Sequence, residues 1–430
     1  MNVSDSERIA GYLEGLGFKE AARRDKAALV VMTTCGVRQS AEDRAYMLLP
    51  EIKKANPKVL TVVTGCLSGR ADVQIRLKAY VDLWLPIIDL PKLGKFLGRK
   101  AKAGGSLGGY LKINPKYGST FSAFVPIGNG CDNFCAYCVV PYARGREVYR
   151  PAEEILAEVR GLVKRGYKEI ALIAQNVNSY KSRTAVQETA RSSRRRFAPP
   201  QDDSGTVNFS TLLKMVNAIP GDFWIRFATS HPKDMSDELI TTIAGCEKVC
   251  HQVHLPVQAG DNKVLRKMNR KYTREHYLKL IKKIRQIMPD ASISTDCIVG
   301  FPGETKKQFK NTERLFCQAG FDQAFIARYS PRPGTLATKM KDDVPKNEKQ
   351  RRDEVLTGIL KQTALANNQK YIGKTVEILV EGKKVNSFFG RTRTGKIVKI
   401  EQKSKSKPII GDIVNVEIKN AREFGLSGWI

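Results

Sequence analysis

The chain has 430 residues, 42% of them hydrophobic, and carries 73 Lys and Arg against 43 Asp and Glu, a net charge of +30. Its longest apolar runs, ALVVM and VLTVV, are strand-length and far short of the ~20 residues a membrane span needs; the polar, acidic start MNVSDSERIA does not read as a secretory signal. Such an excess of positive charge attracts polyanions, nucleic acid first among them, and nine cysteines without a signal read as thiolate chemistry in a reducing cytoplasm rather than as disulfides.

The length suggests roughly three domains, and the first hundred residues alternate helix and strand. SERIAGYLEGLGF has helical apolar spacing, ALVVM (28–32) is a strand, RQSAEDRAYMLLPEIKKA a helix and VLTVV (59–63) a second strand. That order predicts an open α/β domain with parallel pairing over 1–100. Each strand runs into a cysteine, Cys35 in TTCGVR and Cys66 in TGCLSGR. Ligand sites of open α/β sheets lie beyond the carboxyl ends of strands, so the two cysteines are expected close together on one edge.

Residues 100–120, rich in Gly and Lys, read as a linker. From 118 to 345 come six strand–helix units, with strands FSAFVPIG, EIALIAQN, WIRFATS, VCHQVHLPV, SISTDCIVGF and FDQAFIARYS. Six are too few to close an eightfold barrel, so a partial (β/α)6 barrel with an open side is expected. A polar, arginine-rich segment at 181–205 interrupts it and reads by composition as a flexible loop. A connecting helix over 346–371 leads to 372–430, where TVEILVEG, RTGKIVKI and GDIVNVEIKN mark a small β-barrel. Its 12 Lys and Arg against 6 Asp and Glu suit a nucleic-acid backbone.

The most telling stretch is NGCDNFCAYCVVPYARGRE, directly after the first barrel strand. Cys131, Cys135 and Cys138 in CxxxCxxC spacing supply three thiolates to a cubane iron–sulfur cluster and leave its fourth iron without a protein ligand, where cluster sites normally take four. A zinc knuckle closes with four ligands, and no fourth Cys or His lies nearby. Cys246, Cys250, Cys297 and Cys317 read as packing residues, and His251 and His254 as part of the barrel.

This spacing resembles the signature of radical S-adenosylmethionine enzymes. The resemblance runs nearly end to end to their methylthiotransferase branch, and MNVSDSERIAGYLEGLG, AQNVNSY and FGRTRTGKIV point to the MiaB-type tRNA enzymes within it. The resemblance implies an N-terminal methylthiotransferase domain, the radical barrel and a C-terminal TRAM barrel that binds RNA. It implies S-adenosylmethionine and two 4Fe–4S clusters: a radical cluster on Cys131, Cys135 and Cys138, and an auxiliary cluster for which Cys35 and Cys66 match the second and third ligands. Tyr137 matches a residue lying near the cofactor's adenine, Gln175 and Asn176 residues contacting its amino group, and Gly300, Gly303 and Glu304 a turn approaching the adenosyl moiety. Arg391, Arg393 and Lys396 are the expected RNA contacts of the last domain.

The implied reaction is methylthiolation at C2 of isopentenyl-adenosine beside the tRNA anticodon, with the radical chemistry carried by clusters and cofactor rather than by a catalytic side chain. The implied partners are tRNA, an electron donor such as flavodoxin or ferredoxin and a sulfur donor, with no membrane and a monomeric protein. Relatives carry the first auxiliary cysteine just before the position of Met1, so the first strand and that cysteine are expected in an upstream extension. The alternatives are a methylthiotransferase acting on a ribosomal protein or on threonylcarbamoyl-adenosine tRNA, and a non-enzymatic RNA-binding relic.

Overall fold

The structure, a computed structural model, describes residues 1–36, 39–99, 109–183, 205–384, 387–401 and 407–430. Most of the arginine-rich segment (184–204) and part of the linker (100–108) lie outside the described residues. The chain packs as two compact units: Met1–Gly118 with Gly128–Val148 and Ser330–Met340, and Ser119–Ile127 with Tyr149–Tyr329 and Lys341–Ile430. By packing, the cysteine loop therefore belongs with the first α/β domain, and the small C-terminal barrel with the large one.

In the first unit, strands Leu29–Thr34, Leu60–Gly65 and Leu83–Trp84 form a parallel sheet in that order. Helices Asn2–Gly15, Gln39–Ala55 and Ala71–Leu77 accompany it. Successive strand residues point to opposite faces. Val62 joins Ile9, Leu90 and Tyr110 in one core, and Val63 joins Leu49, Val73 and Leu77 in another. Both faces are thus buried, as parallel sheets require. Gly65 has φ +87°, and a Cβ there would stand 2.4 Å from Thr34 O, so only glycine lets the second strand close on the end of the first.

In the second unit, the six expected strands are present as Ser122–Pro126, Glu169–Ile173, Trp224–Ala228, Gln252–His254, Ser292–Val299 and Gln323–Arg328. They pair in parallel as two three-stranded sheets, joined by a single parallel bridge between Ile225 and Val249. The fourth is much shorter than VCHQVHLPV suggests, because Pro256 has no N–H to continue the ladder. Helix Lys346–Gln369 leads to a closed barrel of Thr375–Lys384, Ser387–Thr392, Ile397–Glu401, Gly425–Trp429 and Ile413–Arg422, in that spatial order. Two of these strands, SFFGRT and GLSGW, escape the sequence pattern because glycines interrupt it. A Cβ at Gly390 would stand 2.1 Å from Leu379 O, the close backbone approach that a strand glycine permits. Among the described residues no helix is long and apolar enough to cross a membrane.

Candidate cluster and cofactor site

The cysteine loop is closed at its base. Arg144 Nη1 donates to Asn129 Oδ1 (3.0 Å), Asn129 Nδ2 donates to Arg144 O (3.3 Å), and Cys131 N–H donates to Gly145 O (3.2 Å). Inside the loop, Cys138 N–H donates to Cys135 O (3.0 Å) and Asn133 Nδ2 to Cys131 Sγ (3.4 Å). All nine cysteines are free; Cys131, Cys135 and Cys138 are half-buried, as is Tyr137 between them. Burial pushes the Cys131 and Cys138 thiols up, so a metal taken there must displace their protons.

The edge bearing Cys35 and Cys66 meets this loop within the same unit. Cys66 N–H donates to Thr34 O (3.0 Å), setting the ends of the first two strands side by side. A Cβ on Gly36 would stand 3.1 Å from Cys66 Cβ and 3.0 Å from Val139 Cγ2, so Gly36 packs closely against both Cys66 and Val139. Cys66 is buried and Cys35 half-buried. Arg332, buried nearby, donates to Gln39 Oε1 (2.6 Å) and lies 3.7 Å from Glu42. Sequence reasoning passed over Gly36 and Arg332; the one local signal was a glycine directly after Cys35.

In the second unit, the loops after the second and third barrel strands are stitched together. Val177 N–H donates to Thr229 O (3.0 Å), His231 N–H to Asn178 Oδ1 (2.8 Å) and Asn178 Nδ2 to His231 O (3.0 Å). Asn176 Nδ2 donates to Asp234 Oδ2 (2.9 Å). On these loops Gln175 Oε1, Asn176 Oδ1 and Ser230 Oγ are buried without a hydrogen-bond partner. Each such atom costs about 1–3 kcal/mol, and three at the carboxyl ends of neighbouring parallel strands mark a place kept for a polar ligand. Thr229 has φ +72°, a true outlier for a β-branched residue, and strain of this kind collects at ligand sites. His231 has a structural part: its Nδ1 accepts Lys233 N–H (3.2 Å) and caps the turn Pro232–Asp234. Burial, then Arg270 and Lys233, push it down to about 2.

Residues 125–316 match the Radical SAM superfamily, 1–86 the Uncharacterized protein family UPF0004, and 369–429 the TRAM domain. The chain is 41% identical over 449 residues to the tRNA-2-methylthio-N(6)-dimethylallyladenosine synthase of Clostridium novyi, covering 100% of this chain and 94% of that protein. It is 40% identical over 448 residues to the synthase of the same name from Clostridium botulinum (strain Hall), with the same coverages. The chain belongs to this synthase family. Among solved structures, the radical S-adenosylmethionine methyltransferase TsrM from Kitasatospora setae shares the fold, with a TM-score of 0.51 at 14% identity over 72% of this chain and 66% of that one.

Membership in the synthase family brings 4Fe–4S clusters and S-adenosylmethionine, and the residues present fit both. Three free thiols stand on one closed loop. The unpaired Gln175, Asn176 and Ser230 atoms suit a cofactor rich in polar groups.

Two sets of expected contact residues also have protein partners in this synthase-family chain. The space beside Gly300 (φ +68°) is filled by protein, since a Cβ there would stand 2.4 Å from Lys349 Cγ. Gly303 N–H donates to Asp343 Oδ1 (2.7 Å). Glu304 accepts from Gly300 N–H (2.7 Å) and pairs with buried Arg352 (2.8 Å). The turn thus anchors the connecting helix, while Glu304 Oε1 is buried without a hydrogen-bond partner.

Likewise, Arg391, Arg393 and Lys396 have protein partners, Lys396 buried and the two arginines half-buried. Arg391 pairs with Glu381 and with buried Glu169 (3.1 Å), Arg393 donates to Glu247 O, and Lys396 Nζ lies 2.6 Å from Asp322 Oδ1. Glu169 opens the second barrel strand and Asp322 precedes the sixth. These cations therefore dock the small barrel on the amino ends of the large one, beside an apolar contact of Trp224, Cys250 and Leu379.

Proposed function

We propose that this chain is a radical S-adenosylmethionine methylthiotransferase that adds a methylthio group to C2 of N6-dimethylallyladenosine beside the anticodon of tRNA. What carries this reading is the closed loop of Cys131, Cys135 and Cys138 meeting the Cys66 edge, in a chain aligned over its whole length with synthases of that name. A purine C2–H is not acidic and the carbon bears no leaving group, so no side-chain acid or base is asked for. When bound, the clusters and S-adenosylmethionine supply the electron, the hydrogen-abstracting radical and the methylthio group. The protein holds, orients and shields these groups.

Cys131, Cys135 and Cys138 would hold the radical cluster, Cys35 and Cys66 contribute to the auxiliary one, and Tyr137 lies by the adenine. The buried oxygens of Gln175, Asn176 and Ser230 accept from the cofactor's donors. The net charge of +30 draws in the tRNA, with the last barrel as its RNA-binding domain. A flavodoxin or ferredoxin, a sulfur donor, a monomeric state and a cytoplasmic location complete the reading.

The test is anaerobic reconstitution followed by nucleoside mass spectrometry of tRNA carrying N6-dimethylallyladenosine. The methylthio product is expected, and 5′-deoxyadenosine is expected to vanish in Cys135→Ala. Product only on threonylcarbamoyl-adenosine tRNA or on a ribosomal protein would replace this reading by one of those activities.

A further inference from the structure

Asp5 and Arg144 form an ion pair at 2.5 Å whose side chains are 1% and 2% exposed. Both carboxylate oxygens of Asp5 are engaged, Oδ2 by Arg144 and Oδ1 by Tyr110 Oη. Arg144 also donates to Asn2 Oδ1 (3.2 Å) and, at the base of the cysteine loop, to Asn129 Oδ1 (3.0 Å). Asn129 stands two residues before Cys131, and Arg144 ends the helix Val140–Arg144 that starts two residues after Cys138. One guanidinium therefore closes the loop and ties it to the first helix, while at the far side Gly36 lies close to both Val139 and Cys66.

We infer that the Asp5–Arg144 pair is a positioning clasp that sets the Cys131–Cys138 loop against the Cys66 edge, fixing how far the radical-forming end of the site stands from the sulfur-donating end. The inference rests on the proposed function for its meaning but not for its test. A buried charge pair is a strong clasp because removing one partner strands the other in a dry environment. Loosening the pair should therefore lower sulfur transfer relative to cofactor cleavage. Asn2 and Asp5 of MNVSDSE thus meet Arg144 of YARGRE.

The primary readout needs no cluster and no activity. In the metal-free protein, Cys66 is 4% exposed, and release of the loop should expose it. Iodoacetamide labelling mapped by mass spectrometry should show Cys66 alkylated at least tenfold faster in Asp5→Asn, which keeps the shape and an acceptor for Tyr110 but loses the charge. Labelling of Cys297, buried in the large barrel, and hydrogen exchange at Leu60–Gly65 should stay unchanged. Asp5→Glu, which keeps the charge, should restore most of the protection. In reconstituted protein, methylthio product per 5′-deoxyadenosine should fall at least tenfold in Asp5→Asn.

Unchanged Cys66 protection would overturn the clasp, and so would exposure of Cys66 only together with melting of the sheet. Should Asp5→Asn not fold, Arg144→Lys carries the same measurements, since it keeps the charge but cannot bridge Asp5, Asn2 and Asn129 at once. Altered labelling in a protein inactive on every tRNA would leave the clasp standing and remove the functional reading instead.

Discussion

Lys396→Met removes one half of a buried pair in the seam between the two barrels. Lys396 is 8% exposed, its Nζ lies 2.6 Å from Asp322 Oδ1, and Asp322 Oδ2 accepts Ile293 N–H at 2.8 Å. Burial lowers the Lys396 ammonium and Asp322 opposes it, as expected of a cation kept dry by its partner. Stranding the carboxylate should cost about 3–5 kcal/mol. Amides of the small barrel should then exchange about a hundredfold to a few thousandfold faster, at 1.4 kcal/mol per factor of ten. Hydrogen-exchange mass spectrometry on peptides from 375–429 reads this directly. Adding Asp322→Asn should recover most of the loss, because the amide oxygen still accepts Ile293 N–H and no charge is stranded. Under conditions where the variant stays folded, the salt dependence of tRNA binding should not change; a lost phosphate contact would lower the log–log slope by about 0.7–0.9. Unchanged exchange together with a slope reduced by that amount would refute the seam and return Lys396 to the RNA-facing surface.

Gly65→Ala should lower the melting temperature by the equivalent of more than about 1 kcal/mol, since it places a Cβ 2.4 Å from Thr34 O at φ +87°; a neutral substitution would contradict the strand-end geometry. Ser230→Ala removes a buried, unpaired hydroxyl, so it should stabilise the cofactor-free protein by up to about 1–3 kcal/mol while weakening S-adenosylmethionine in equilibrium dialysis; unchanged binding would exclude Ser230 from the site. His231, pushed down to about 2, stays neutral in the fold and takes a proton when unfolded. Its contribution is complete above pH ~6.5 and declines by up to about 1.4 kcal/mol per pH unit below that. Melting of His231→Asn against the parent chain at pH 7 and pH 5 should show the smaller acid loss in the variant, and equal losses would mean that His231 is accessible to protons.

Local pattern carried much of this protein. Three cysteines within eight residues in CxxxCxxC spacing point to a cluster loop before any fold is known, and apolar runs of strand length at regular spacing announce six parallel units. A pattern of this kind records period and burial along the chain; it does not record which distant charge a side chain will meet. FGRTRTGKIV reads as a basic RNA contact until Glu169 and Asp322 prove to neutralise Arg391 and Lys396 from 222 and 74 residues away. IVGFPGET gives no hint that Lys349 packs beside Gly300 and Arg352 pairs with Glu304. SFFGRT and GLSGW carry glycines that blur the strand pattern, because in the closed barrel neighbouring backbone approaches too near for side chains at Gly390 and Gly428. The thiolate chemistry was thus written in sequence, whereas the grouping of the cysteine loop with the first domain, through Asp5 and Arg144 139 residues apart, was decided by tertiary packing. Buried charge is affordable only where its partner is also buried, and only the folded chain brings the two together.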